Sequence, residues 1–145
     1  MTFPPTLLPG LASHPWAYPA LEIVHIIGVG LLLGNLTLLE LRVWGLGRAL
    51  PLPSLARMTL TLVLAGATLA VASGLLMFAS QSADLISNRV FLAKMGLLLL
   101  LGCNAALFHA RRGLARLDAI ARAQTALSLG LWILVIVCGR WIAYS

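Results

Sequence analysis

Four stretches of this chain are too long and too apolar for a fold that lives in water. They run from Ala17 to Gly45, Ser54 to Ala79, Asn88 to Arg111 and Ala119 to Ile142. Each holds at least the ~20 residues that cross about 30 Å of hydrocarbon as a helix. Of the chain's 145 residues, 61% are hydrophobic and 10% charged. Soluble domains hold about 45–50% apolar and about 25% charged residues. A soluble domain this small could not cover so much apolar surface, and lipid removes the need to cover it. Backbone groups in lipid must bond within their own segment, so each stretch is expected to be a helix. A β-barrel would need alternating segments of about ten residues, and these runs do not alternate.

The links are short: Gly45 to Pro53, Ser80 to Ser87 and Arg112 to Asp118. Short links make sequence neighbours antiparallel. The expected fold is therefore all-α, an integral membrane up-down four-helix bundle, with residues 1–145 as a single transmembrane domain. Pro15 and Pro19 fit the start of the first helix, and Gly45 and Gly47 its end. Pro51 and Pro53 precede the second, with Ser54 as expected N-cap. Asn88 or Ser87 caps the third. Small residues, which let helix backbones approach in lipid, mark the expected packing faces. These are Gly28, Gly30 and Gly34 in the first helix, where Gly30 and Gly34 form GxxxG. In the second they are Ala65-Gly66-Ala67 and Ser73-Gly74.

Lys and Arg set the orientation. Arg42, Arg48, Arg57, Arg111, Arg112, Arg116 and Arg122 lie at the end of the first and third links. Arg89, Lys94 and Arg140 lie at the other. The first group belongs in the cytoplasm, so both termini face the outer, periplasmic side of the cell inner membrane. Trp16, Tyr18, Phe78, Phe91, Trp141 and Tyr144 then form an outer aromatic belt. Met1 to Gly10 has three prolines and no Lys or Arg, so no cleaved signal peptide is expected. The net charge of +6 is explained by topology, and nucleic acid is not an expected partner. Cys103 and Cys138 are read as two buried small hydrophobes, with no disulfide.

Ionisable groups inside a membrane span are costly and point to function. At 1.5 Å per residue, Glu22 and His25 lie roughly 8 and 12 Å into the first helix and Lys94 roughly 9 Å into the third, and Arg140, near the outer end of the fourth, is read at a similar level. All four share one level in the outer half of the bilayer. Glu22 and His25 are spaced i, i+3 on one face, so the carboxylate can orient the imidazole. Two cations, one carboxylate and one imidazole suit an anionic group: porphyrin carboxylates, a phosphate or a quinone oxygen. The plainer reading has Glu22 paired with Lys94 or Arg140 to hold the bundle, and the cations snorkelling to the headgroups. His109 lies roughly 15–20 Å from the level of His25. One iron cannot take both, and His109 reads as interfacial. His14 lies in the outer tail. Glu40 is expected to pair with Arg57 or Arg112, and Asn35 and Asn104 to bond across helices or line a cavity. There is no HExxH, P-loop or GxSxG, and the methionines form no soft-metal cluster.

Leu21-Glu22-Ile23-Val24-His25-Ile26-Ile27-Gly28, leading to Leu41-Arg42, and Phe91-Leu92-Ala93-Lys94-Met95-Gly96-Leu97, followed by Asn104 and His109, have a familiar look. Together they resemble a group of four-helix bacterial membrane proteins. That group is distantly similar to the copper-resistance D proteins and to the four-helix protoporphyrinogen oxidases of haem synthesis. The resemblance covers nearly the whole chain, with short motifs. In the oxidases a first-helix histidine and a third-helix lysine are functional and haem b is bound. The resemblance thus implies such roles for His25 and Lys94. The oxidases' aromatic-His-His tract is reduced here to Phe108-His109, a departure that counts against oxidase activity. The copper family's extra helices and outer Met/His ligands are missing too.

The leading expectation is a redox protein that binds haem b or a related porphyrin. His25 is the metal ligand, Glu22 orients it, and Lys94 and Arg140 meet the propionates. The alternatives are a copper or proton transport component with a polar path past Glu22, His25 and Lys94, and a non-catalytic subunit. Lipid, a porphyrin or quinone, and a homo-oligomer or larger membrane complex are the expected partners.

Overall fold

The computed structural model describes residues 8–145, and every described element is helical. In chain order these are α1 (Pro9–Ser13), α2 (Ala17–Val43), α3 (Leu52–Ser80), α4 (Ser82–Ser87), α5 (Arg89–Ala110), α6 (Gly113–Arg116) and α7 (Ala119–Trp141). A 3-10 turn, Ile142–Tyr144, closes the chain. Four helices are long and apolar enough to cross a membrane: α2, α3, α5 and α7 with its terminal turn. They give the chain the character of a multi-pass membrane protein. Their outer faces carry large apolar side chains, such as Leu64 at 69% and Leu99 at 71% exposure. Helices that are apolar all round need an apolar solvent.

The sequence explains where each helix stops. Beyond α2, Gly45 and Gly47 take φ of +100° and +64°, a region that glycine enters without strain. Pro51 caps α3 and Pro53 lies in its first turn. A missing N–H costs nothing there, because first-turn amides lack helical partners. Ser54 therefore sits inside the helix, not at its cap, as the prolines set the start earlier. Asn88 caps α5, its side-chain oxygen accepting from the amides of Val90 at 2.9 Å and Phe91 at 3.3 Å.

Asp118 caps α7 by accepting from the Ala121 amide at 2.9 Å, and pairs with Arg111 at 3.0 Å. The Ala121 amide, with the Arg111 guanidinium, holds its carboxyl below the usual carboxylate range. Stability from a depressed carboxyl is fully present above its ordinary pKa of about 3.9. It is lost as the pH falls through the lower, folded-state value. Asp118→Ala is therefore expected to melt below wild type at pH 7 in detergent, and the gap should close in strong acid. A gap that persists unchanged at pH 2 would refute this linkage.

Two helix pairs make up the structure. In the first, His25, Gly28 and Leu32 of α2 meet Ser73, Ala70 and Gly66 of α3. Numbers rise in one helix as they fall in the other. The backbones nearly touch there. A Cβ built on Gly28 would lie 2.6 Å from the Ala70 nitrogen, and one on Gly66 2.6 Å from the Gly28 oxygen. The expected GxxxG pair takes no part. Gly30 and Gly34 are exposed, with nothing within 4 Å of an added Cβ. Gly28 lies on the other side of the helix from Gly30, two residues and some 200° away.

In the second pair, Leu101 of α5 packs on Leu131 and Val135 of α7, with Leu97, Leu98 and Trp132 around them. The Asn104 side-chain amide donates to the Gln124 carbonyl at 2.9 Å. The pairs meet chiefly where α2 ends and α7 begins, where the Trp44 indole donates to Thr125 Oγ1 at 2.6 Å. Stacked rings of Phe78 and Phe91, 5.6 Å apart, lie near the other end. The cysteines differ from expectation. Cys103 is exposed and Cys138 half-buried, and both are free thiols. An exposed thiol in an apolar span faces lipid, which suits a small hydrophobe as well as a core does.

Candidate functional site

The glycine seam between α2 and α3 brings His25 against the next helix. Its Nδ1 lies 2.9 Å from the Ala70 carbonyl oxygen and 3.1 Å from Ser73 Oγ. A carbonyl can only accept, so Nδ1 carries the proton and donates to it. Ser73, 2% exposed, donates its hydroxyl proton to the Leu69 carbonyl at 2.6 Å. Nε2 then keeps its lone pair, and among the described residues it has no hydrogen-bond partner. Gly74 leaves room for the ring, since a Cβ there would be 3.3 Å from His25 Cε1. Ligating histidines commonly have this arrangement, with one ring nitrogen tied to a carbonyl and the other free.

Lys94 is half-buried on α5 and close enough for its charge to act on His25. Gly139 of α7 makes space for it: an added Cβ would be 3.5 Å from Lys94 Nζ. No hydrogen bond joins His25 and Lys94. Glu22 and Arg140 are not joined to them. Glu22 is exposed, and among the described residues it makes no hydrogen bond or ion pair. Helix α3, through Ala70, does the orienting expected of Glu22. Arg140 is exposed and folds onto Tyr144. Its Nη2 donates to the phenol oxygen at 2.7 Å, and the guanidinium carbon lies 5.1 Å from the ring centroid. This is the snorkelling arrangement of a long cation near a membrane surface. His14 is exposed before α2, and its Nδ1 accepts from the Trp16 amide at 3.3 Å.

A second polar cluster lies at the arginine-rich end, and there the sequence reading needs correction. Glu40 pairs with neither Arg57 nor Arg112. It is 5% exposed, and its Oε2 has no hydrogen-bond partner. Arg57 and Arg112 are both exposed on the outside, while Glu40 points inward among α2, α5 and α7. It borders a cavity of about 70 Å3 together with Asn104, His109, Gln124, Thr125 and Ser128. The signal was present in the sequence: Gln124, Thr125 and Ser128 are spaced i, i+1, i+4 on one face of a largely apolar helix. Asn104 makes the interhelical bond expected of it. Asn35 instead bonds the Leu31 carbonyl of its own helix at 2.8 Å. His109 is exposed at the end of α5, edge-on to Phe108 with ring centroids 5.7 Å apart.

Among the described residues, no three His, Cys, Asp or Glu side chains gather to hold a metal ion. The fold and sites define a class, an all-helical protein with four helices able to cross a membrane and two polar clusters between them. Compared with protein-family models, curated proteins and solved structures, the chain matches none.

Proposed function

We propose that the chain is a multi-pass protein of the cell inner membrane that binds haem b or a related porphyrin in its outer half, with a redox role. In this reading it is an up-down four-helix bundle with both termini on the periplasmic side. The reversed contacts between α2 and α3, and between α5 and α7, favour the up-down order. Seven Lys and Arg at one end against three at the other favour the orientation.

One observation carries the functional reading. His25 presents Nε2 with its lone pair unengaged, while Nδ1 is tied to the Ala70 carbonyl. A bond to Nδ1–H fixes the tautomer and raises the basicity of the nitrogen that ligates. The donor set fits the group in kind: an imidazole for iron, and a half-buried ammonium beside it for a propionate. Bound haem would supply one-electron chemistry. The chain's own residues would hold it, His25 through iron and Lys94 through charge, with α3 fixing the angle of the imidazole. The resemblance to the four-helix protoporphyrinogen oxidases points to the same two residues. Glu22 and Arg140 would have to turn from their present positions to join. In this reading His25 would be the one imidazole of the site that holds the group.

The test is an absorption spectrum of the purified protein after expression with ample haem. A Soret band is expected, lost in His25→Ala and kept in His109→Ala. A wild-type protein without the band ends the proposal.

A further inference from the structure

Glu40 poses a problem that the outer site does not solve. Its carboxyl is 5% exposed with one oxygen unpartnered. An ionised carboxylate without a partner is severely penalised out of water. The groups around it are mostly engaged elsewhere. The Asn104 amide donates to the Gln124 carbonyl. Gln124 Oε1 accepts from Arg111 at 3.2 Å. Thr125 Oγ1 accepts from Trp44 and donates to the Arg122 carbonyl at 2.9 Å. The Ser128 hydroxyl lines the same cavity as a neutral group.

Among the described residues no cation neutralises it. Arg111, the residue just past α5, is held by Asp118 and Gln124. Arg42 of α2 donates to the Leu50 carbonyl at 3.1 Å. Arg57 of α3, Arg116 of α6 and Arg122 of α7 are exposed. To the cavity α3 presents Leu60 and α6 presents Leu114, both apolar. The one titratable neighbour on the wall is His109, which is also exposed to the outside. The cavity holds about 70 Å3, and one water needs roughly 10–15 Å3 of such space among polar partners. It can therefore hold more than one.

We propose that Glu40 is a proton-binding site, that the cavity is its water-filled chamber, and that His109 passes protons to it from the arginine-rich surface. Imidazole suits this place because it takes a proton on one ring nitrogen and releases one from the other. Bulk water protonates the outer nitrogen of His109. The inner nitrogen releases its proton to cavity water, and that water delivers one to the Glu40 carboxylate. His109 ends neutral, one proton has moved from bulk to Glu40, and no electron is transferred. Histidine and carboxylate chains inside membrane proteins commonly carry protons in this way. The site is independent of whatever His25 binds.

Infrared spectroscopy of the full chain in lipid bilayers tests this. At pH 7 the wild type is expected to show the carbonyl stretch of a protonated carboxylic acid, shifted in heavy water. Glu40→Gln should lose that band. Glu22→Gln/Asp84→Asn should keep it, since Asp118, the other remaining acidic side chain, is held ionised. In His109→Ala the band should follow a pH jump about a hundredfold or more slowly, the lower end of what a lost acid–base group costs. A wild type without the band, a band surviving in Glu40→Gln, or its loss in the double variant overturns the proton site. Unchanged kinetics in His109→Ala overturn the relay. If Glu40→Gln does not fold, the wild type and the double variant still decide.

Discussion

Gly66→Leu is expected to break the first helix pair apart and cost about 3 kcal/mol or more, the upper end of what overpacking does. The reason is that no flexible side chain stands in the way. A Cβ at Gly66 would lie 2.6 Å from both the Gly28 oxygen and the Leu32 nitrogen. Backbone cannot step aside as a rotamer can, so α2 and α3 must separate along their whole seam. Gly28→Leu meets the same wall from the other side, at 2.6 Å from the Ala70 nitrogen. Gly30→Leu is the control. It adds its side chain to open space and should stay within about 0.5 kcal/mol of wild type. Thermal unfolding in detergent, followed by circular dichroism, reads all three. Equal melting of Gly66→Leu and Gly30→Leu would refute the seam.

If the chain holds haem through His25 as proposed, a Gly74→Leu variant should sharply weaken haem retention while leaving the helices intact. Gly74 is no ligand; it is the space in which the imidazole lies. A Cβ alone would come 3.3 Å from His25 Cε1, so Ala asks the ring to yield by a few tenths of an ångström. The further carbons of Leu occupy the ring's own volume and turn it off the Ala70 carbonyl. Changes around a ligating histidine typically weaken metal binding by about 10–100-fold. The Soret band per protein should fall accordingly, with Gly74→Ala between Leu and wild type. Full haem occupancy in Gly74→Leu, with native helicity, would mean that this orientation of His25 is not what holds the group.

The spans were legible because hydrocarbon thickness acts on local properties, length and polarity, which a sequence displays directly. Helix ends were legible where a single residue dictates them, as Asn88 does for α5. Ser54 misled because two nearby prolines outweighed one hydroxyl. The packing glycines were legible as a set but not individually. Gly28, Gly30 and Gly34 look alike in sequence, and only the helix crossing shows that Gly28 alone bears it. His25 and Lys94 could be placed by depth, yet depth says nothing of rotation about a helix axis. Glu22 shares the level of His25 without touching it. Glu40 was assigned a partner because it shares a membrane end with Arg57 and Arg112. Its real surroundings come from helices that begin more than sixty residues later in the case of Ser128 and its neighbours.

The two helix pairs each join elements that are close in sequence, α2 with α3 and α5 with α7. That local pattern bears on how the chain comes into being. Domains emerge N-terminal end first during synthesis, and contacts between sequence neighbours form fastest. The seam at Gly28 and Gly66 can therefore close before α5 and α7 have been made. The later pair then docks onto a surface already in place, through Trp44 and the polar chamber around Glu40. The first pair acts as a template on which the second half of the protein is assembled.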